Sequence, residues 1–124
     1  MKRLVYILLF CALAACAAGA NPSATAVENY FKALAAKDGQ KAVSLACAQW
    51  EEQASLDADT FALNPATAEN IACKAGEKDG NFTVVTCTGK LVLDYNGEKQ
   101  EINLADRSYL TIEEGGEWRM CGYK

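Results

Sequence analysis

The sequence predicts an α+β domain, with two or three N-terminal helices packed on a curved four-stranded antiparallel sheet. Three observations lead there. Apolar residues first recur at helical spacing, as in Val27, Tyr30, Phe31 and Leu34. The period then changes to two, with Val85, Cys87, Leu91 and Leu93 on one side of a long run. Turn residues at Gly80-Asn81, Asn96-Gly97 and Gly115-Gly116 cut this second half into hairpins.

The elements follow in order. Ser23 or Thr25 is placed to cap a first helix over "ATAVENYFKALAAKDG", which Gly39 closes. "QKAVSLACAQWEEQASLD" supplies one or two more helices, with Val43, Cys47, Trp50 and Ala54 as a stripe and a break near Ala48. Asn64-Pro65 ends the helical half. "ATAENIACKAG" is the first strand, with Ile71 and Cys73 on one side, and "NFTVVTCTGKLVLDY" the second. "KQEINLADRSYLTIEE" is the third, bent by a bulge at "LADRS", and "EWRMCGY" the fourth. Pairing across Gly115-Gly116 is expected to put Leu110, Ile112, Trp118 and Met120 on one face, and Cys121 opposite with Tyr109, Thr111 and Arg119. Trp50 and Trp118 are large enough to anchor the helix–sheet core.

The N-terminus has a different character. Lys2 and Arg3 precede an apolar stretch from Leu4 to Ala15, the pattern of a secretory signal. It is too short for a spanning helix, which needs about 20 residues. Its end, Leu13-Ala14-Ala15-Cys16, resembles a bacterial lipobox. The resemblance implies cleavage before Cys16 and acyl chains on its sulfur, with Cys11 discarded in the leader. Phe10, before Cys11, is too bulky for that role. Residues 1–15 are then the signal peptide, 16–23 a lipid-anchored linker, and 24–124 a single domain. Ala17, rather than Asp, follows the cysteine, as in lipoproteins sorted to an outer membrane. The expected location is extracytoplasmic, anchored to the bacterial cell membrane or outer membrane.

Removal of the first 15 of 124 residues leaves 109, enough for one modest core. Without Lys2 and Arg3, 10 cations face 16 acids, a net charge of −6. That balance disfavours nucleic acid and anionic headgroups. With no histidine, the chain lacks the commonest general base and metal ligand. No metal or cofactor is expected, since the cysteines form no C-x-x-C and the acidic loops lack EF-hand spacing.

Four cysteines remain outside the leader and Cys16, and outside the cytoplasm they read as two disulfides with three connectivities open. Cys73 and Cys87 flank the Lys78-to-Asn81 turn almost symmetrically and would face each other across a hairpin. That leaves Cys47 for Cys121.

The order of elements, with "AVENYFKAL", "ACAQWEE" and the closing "GGEWRMCGY", resembles the nuclear-transport-factor-2-like (cystatin-like) superfamily, and within it small bacterial lipoproteins. The resemblance spans nearly all of residues 24–123. It implies a cone in which the sheet curls around a helix and leaves a cavity at its open end. The superfamily includes ketosteroid isomerases, polyketide cyclases, dehydratases, transport adaptors and non-catalytic accessory domains, so fold alone does not assign function. Its enzymes place an Asp or Glu base and a Tyr or Asp donor in the cavity. The candidates here are Tyr30, Asp57, Asp59, Asp94, Asp106 and Tyr109. Tyr30 lies at core spacing, Asp57 and Asp59 in a capping context, and Asp94 before a turn. Asp106 and Tyr109 stand out, because a bulge can aim a side chain into a site. The expected function is a lipid-anchored extracytoplasmic binding or accessory module, meeting the membrane through Cys16 and an envelope protein or a small apolar ligand through its domain. The alternative is a small pocket enzyme of ketosteroid-isomerase or dehydratase type.

Overall fold

In the computed structural model, residues 21–124 are described. The expected signal peptide, Cys11 and Cys16 lie outside the described residues.

Asn21 caps the first helix, α1 (Pro22–Ala35), its side chain accepting from the Ser23 amide at 2.9 Å and the Ser23 hydroxyl at 2.6 Å. The cap thus falls before the serine and threonine expected to supply it, because Pro22 occupies the first turn, where its missing N–H costs nothing. Val27, Tyr30, Phe31 and Leu34 are all buried, so the helical stripe faces the core. Gly39 does not end this helix. Lys37 takes the left-handed conformation (φ 59°), and Asp38 caps a short α2 (Gly39–Ser44), which Gly39 begins.

The expected stripe through Cys47 breaks here. Residues 45–47 leave the helix and lie beside the last strand as a parallel bridge. The Met120 amide donates to the Leu45 carbonyl and the Cys47 amide to the Met120 carbonyl, each at 2.8 Å. A 3-10 turn (Ala48–Trp50) then leads into α3 (Glu51–Leu63), which ends at Asn64.

The sheet is a meander, β1 (Ala66–Asp79), β2 (Phe82–Tyr95), β4 (Ser108–Glu114) and β5 (Glu117–Tyr123), with β3 (Glu98–Asn103) paired to the far end of β2. The expected third strand is therefore two. A 3-10 turn (Leu104–Asp106) stands where a bulge was expected, so β3 pairs with residues 90–95 of β2 while β4 pairs with 83–86. Val85, Cys87, Leu91 and Leu93 are buried on one side of β2. Gly89 lies midway at φ 92°, and a Cβ there would come within 2.4 Å of the Asn70 carbonyl oxygen. This glycine lets β1 and β2 close over a bulge at Asn70 and bends the sheet.

The last hairpin differs from expectation by one residue. Glu114 pairs with Glu117 across the two glycines, so Thr111 faces Met120 and Trp118 faces Glu113. Leu110 and Ile112 lie on the opposite face from Met120. Cys121 is the extra residue of a bulge, since Gly122 pairs with Leu110 and Tyr123 with Tyr109. Met120 and Cys121 are consequently both buried, and Tyr123 shares the inner face with Tyr109. Gly122 adopts φ 142°, and its α-carbon side is covered by the Trp50 ring. Trp50 packs on the core, whereas Trp118 stays half-buried at the hairpin.

Two disulfides close the structure. Cys73 and Cys87 are directly opposed in the β1–β2 register, with Cα atoms 4.1 Å apart. Cys47 joins Cys121 with Cα atoms 5.2 Å apart, and the parallel bridge at Ala46 brings them together. Disulfides are the mark of an oxidising, extracytoplasmic compartment. Among the described residues, no helix is long and apolar enough to cross a membrane.

Candidate ligand cleft

A cleft of about 390 Å³ opens where α3 faces the break between β3 and β4. α1 contributes Phe31 and Leu34, α3 Asp57, Thr60 and Phe61, and β2 Leu91. The other wall is Glu101, Ile102 and Asn103 of β3, Leu104 and Asp106 of the 3-10 turn, then Arg107, Tyr109 and Tyr123. The sheet's bend allows this opening. β3 and β4 diverge along β2, and the turn between them carries polar side chains to the mouth.

Asp57 is the polar centre. Its Oδ2 accepts from the Tyr30 hydroxyl at 2.8 Å and the Tyr123 hydroxyl at 3.0 Å, and its Oδ1 accepts from Gln53 Nε2 at 3.0 Å. One carboxylate therefore ties α3 to α1 and to β5. Burial raises the Tyr30 hydroxyl far above its ordinary value, and the charge of Asp57 and the hydrogen bond to it add to the shift. Burial does the same to Tyr123, again with Asp57 adding, while Arg107 opposes. Tyr109 is pushed up to about 12, chiefly by burial, with Arg107 opposing and Asp106 adding. All three tyrosines are therefore neutral donors at physiological pH.

Aromatic edges continue the wall. Phe31 meets Tyr109 at 5.1 Å, Tyr109 meets Tyr123 at 5.8 Å, and Tyr123 meets Trp50 at 5.0 Å, all edge to face. The Arg107 guanidinium lies 5.0 Å over the Tyr123 ring.

The six sequence candidates separate. Asp57, Asp106 and Tyr109 line the cleft, and Tyr30 lies behind it on Asp57. Asp106 is exposed at the rim, and the Tyr109 hydroxyl donates to the Leu104 carbonyl at 2.8 Å. Asp59 is exposed elsewhere on α3, facing a shallow groove against α2. Asp94 holds the Asn96-Gly97 turn by accepting from the Gly97 amide at 2.6 Å. Sequence reasoning passed over Gln53, Arg107 and Tyr123. Gln53 was visible as an i,i+4 partner of Asp57 on a helix. Tyr123 was hidden, because its side depends on the bulge at Cys121.

No family model and no curated protein matches the chain. Solved structures do. A Xanthomonas campestris protein described as a calcium/calmodulin-dependent protein kinase II association domain superposes with a TM-score of 0.58 at 16% identity, covering 78% of this chain and 79% of that one. The fold is the nuclear-transport-factor-2-like cone. The helical cell shape determining protein Pgp2 from Campylobacter jejuni superposes with a TM-score of 0.51 at 11% identity over 80% of this chain. This chain spans only 38% of that larger protein. At such identities the likeness is one of fold.

Proposed function

We propose that the chain is a lipid-anchored, extracytoplasmic binding module whose cleft takes a small molecule with a predominantly apolar body. The carrying observation is the state of the cleft's polar groups. Both Asp57 oxygens accept from neutral donors, and the Tyr109 hydroxyl is committed to a backbone carbonyl. The walls are thus preformed around apolar floor residues, at a volume within the roughly 300–1,000 Å³ of small-molecule pockets. An enzyme reading would rest on Asp106 and Tyr109. Asp106 is solvent-exposed and Tyr109 is held by Leu104, which favours binding over proton transfer. The anchor is supported by the Lys2-Arg3 leader and by Leu13-Ala14-Ala15-Cys16. More than one acyl chain makes such attachment stable.

Two measurements test the proposal. Intact mass of protein extracted from its native membrane should begin at Cys16 and include acyl chains. An unacylated product beginning further along would defeat the anchor. Calorimetric titration with phenethyl alcohol, an uncharged aromatic probe, should show saturable binding. Leu91→Trp, which fills the floor, should weaken it at least tenfold. Equal binding by both proteins would move the site elsewhere.

A further inference from the structure

We infer that the cleft recognises an amphoteric molecule, one carrying both an ammonium and a carboxylate on an apolar body. The inference rests on the binding reading above and specifies its ligand.

Its basis is a pair of opposite charges that share one cleft without meeting. Asp57 is held by three neutral donors, which orient its carboxylate without cancelling its charge. Among the described residues, the ion pairs are Lys32–Glu28, Lys90 with Glu69 and Glu101, Arg119–Glu117, and Lys124–Asp79. Asp57 and Arg107 are in none of them. Both line the cleft, and Tyr123 stands between them. Its hydroxyl binds Asp57, and its ring lies under the guanidinium. One side chain therefore contacts both the carboxylate and the guanidinium while the two stay apart.

Each charge has binding capacity left. A carboxylate offers about four acceptor sites, and the protein uses three on Asp57. The Arg107 guanidinium is exposed and lies over the Tyr123 ring, which leaves the edge of its planar fork open to a carboxylate. A cationic ligand would satisfy Asp57 and leave Arg107 unmatched, and an anionic ligand the reverse. A molecule with both charges answers both, with its apolar body against Phe31 and Leu91. Asp106 adds negative charge at the rim while Glu101 is held by Lys90, so the ammonium end has the stronger hold.

The test is calorimetric titration of the full chain with four probes of matched shape. These are L-phenylalanine, phenethylammonium, phenylpropanoate and phenethyl alcohol. L-phenylalanine should bind at least tenfold tighter than any of the others, and phenethylammonium should exceed phenylpropanoate. Arg107→Gln, at an exposed position, should weaken L-phenylalanine and phenylpropanoate about tenfold and leave phenethylammonium unchanged. Asp57→Asn should do the converse, with near-ultraviolet circular dichroism confirming that it folds. If a singly charged or neutral probe equals L-phenylalanine, the amphoteric inference falls and the binding reading stands. If none of the four binds, both fall. If L-phenylalanine binds tightest but Arg107→Gln leaves it unchanged, the assignment of its carboxylate is overturned.

Discussion

α1 and α3 are nearly equal in length, at 14 and 13 residues, yet they are held by different physics. α1 buries eight residues and runs through the cone as its core. α3 buries only Ala54 and Phe61. Beyond these two residues and its packing on α2, what keeps α3 in place is polar and covalent: the Asp57 bonds to Tyr30 and Tyr123 along its length, and the Cys47–Cys121 bridge just before it. A helix held by burial moves only when the core opens. A helix held by a few directed bonds can loosen alone, and α3 is a wall of the cleft. The proposed binding face is therefore built in part on the long helix with the smaller claim on the core.

The largest effect should come from untying α3 at its root. Cys47→Ala with Cys121→Ala opens a loop closed over a sequence separation of 74, for which the chain-entropy relation gives about 4.5 kcal/mol. The Cys73–Cys87 pair spans only 14 positions, so its removal should cost about 3 kcal/mol. Urea unfolding of the two double variants would rank them, and a reversed order would show that α3 is anchored mainly elsewhere.

Burial should separate the helices next. Leu34→Ala removes a side chain that is 2% exposed and should cost about 2–5 kcal/mol. Leu63→Ala on α3 removes one that is 83% exposed and should stay within about 0.5 kcal/mol. Similar losses for both would erase the contrast.

The directed bonds come third. Tyr30→Phe deletes one donor to the charged Asp57 and should cost about 1.5–3 kcal/mol. Its clearer signature is local. Hydrogen exchange of α3 amides should accelerate while that of α1 amides holds. Uniform acceleration across both helices would mean that α3 does not open on its own.

A last effect lies in alkali. Tyr109 titrates near 10 when unfolded and at about 12 when folded, so the unfolded chain releases its proton first. Its contribution is whole below pH 10 and declines as pH rises through about 12. Tyrosinate absorbance during alkaline titration should show this late step, and a normal titration for every tyrosine would contradict the burial described here.

Much of this architecture is readable from residue order. The burial of β2 follows from its alternation, and the Asn96-Gly97 turn takes positive φ at both residues, as that dipeptide favours. The core face of α1 follows from its spacing. The region around Cys47 is harder to read, because "SLACAQWEE" is rich in small residues that fit a helix or an extended segment equally well. The tertiary contact with Met120 decides it. The cleft was legible only in part. Asp57 lies in a helix and reads as a solvated residue, because its two tyrosine partners come from 27 positions before it and 66 after it. Tyr123 reaches that face through a one-residue bulge, which no periodicity announces.

The direction of α1 sets a working distance. Its first turn lies beside Cys73 on β1, where Asn21 and Thr25 line a separate shallow groove. Its last turns carry Phe31 and Leu34 to the cleft. From Pro22 to Leu34 the helix rises about 18 Å at 1.5 Å per residue. If the proposed anchor holds the domain from its N-terminal side, the core helix acts as a stand-off that offers the mouth to the surrounding fluid rather than to the membrane.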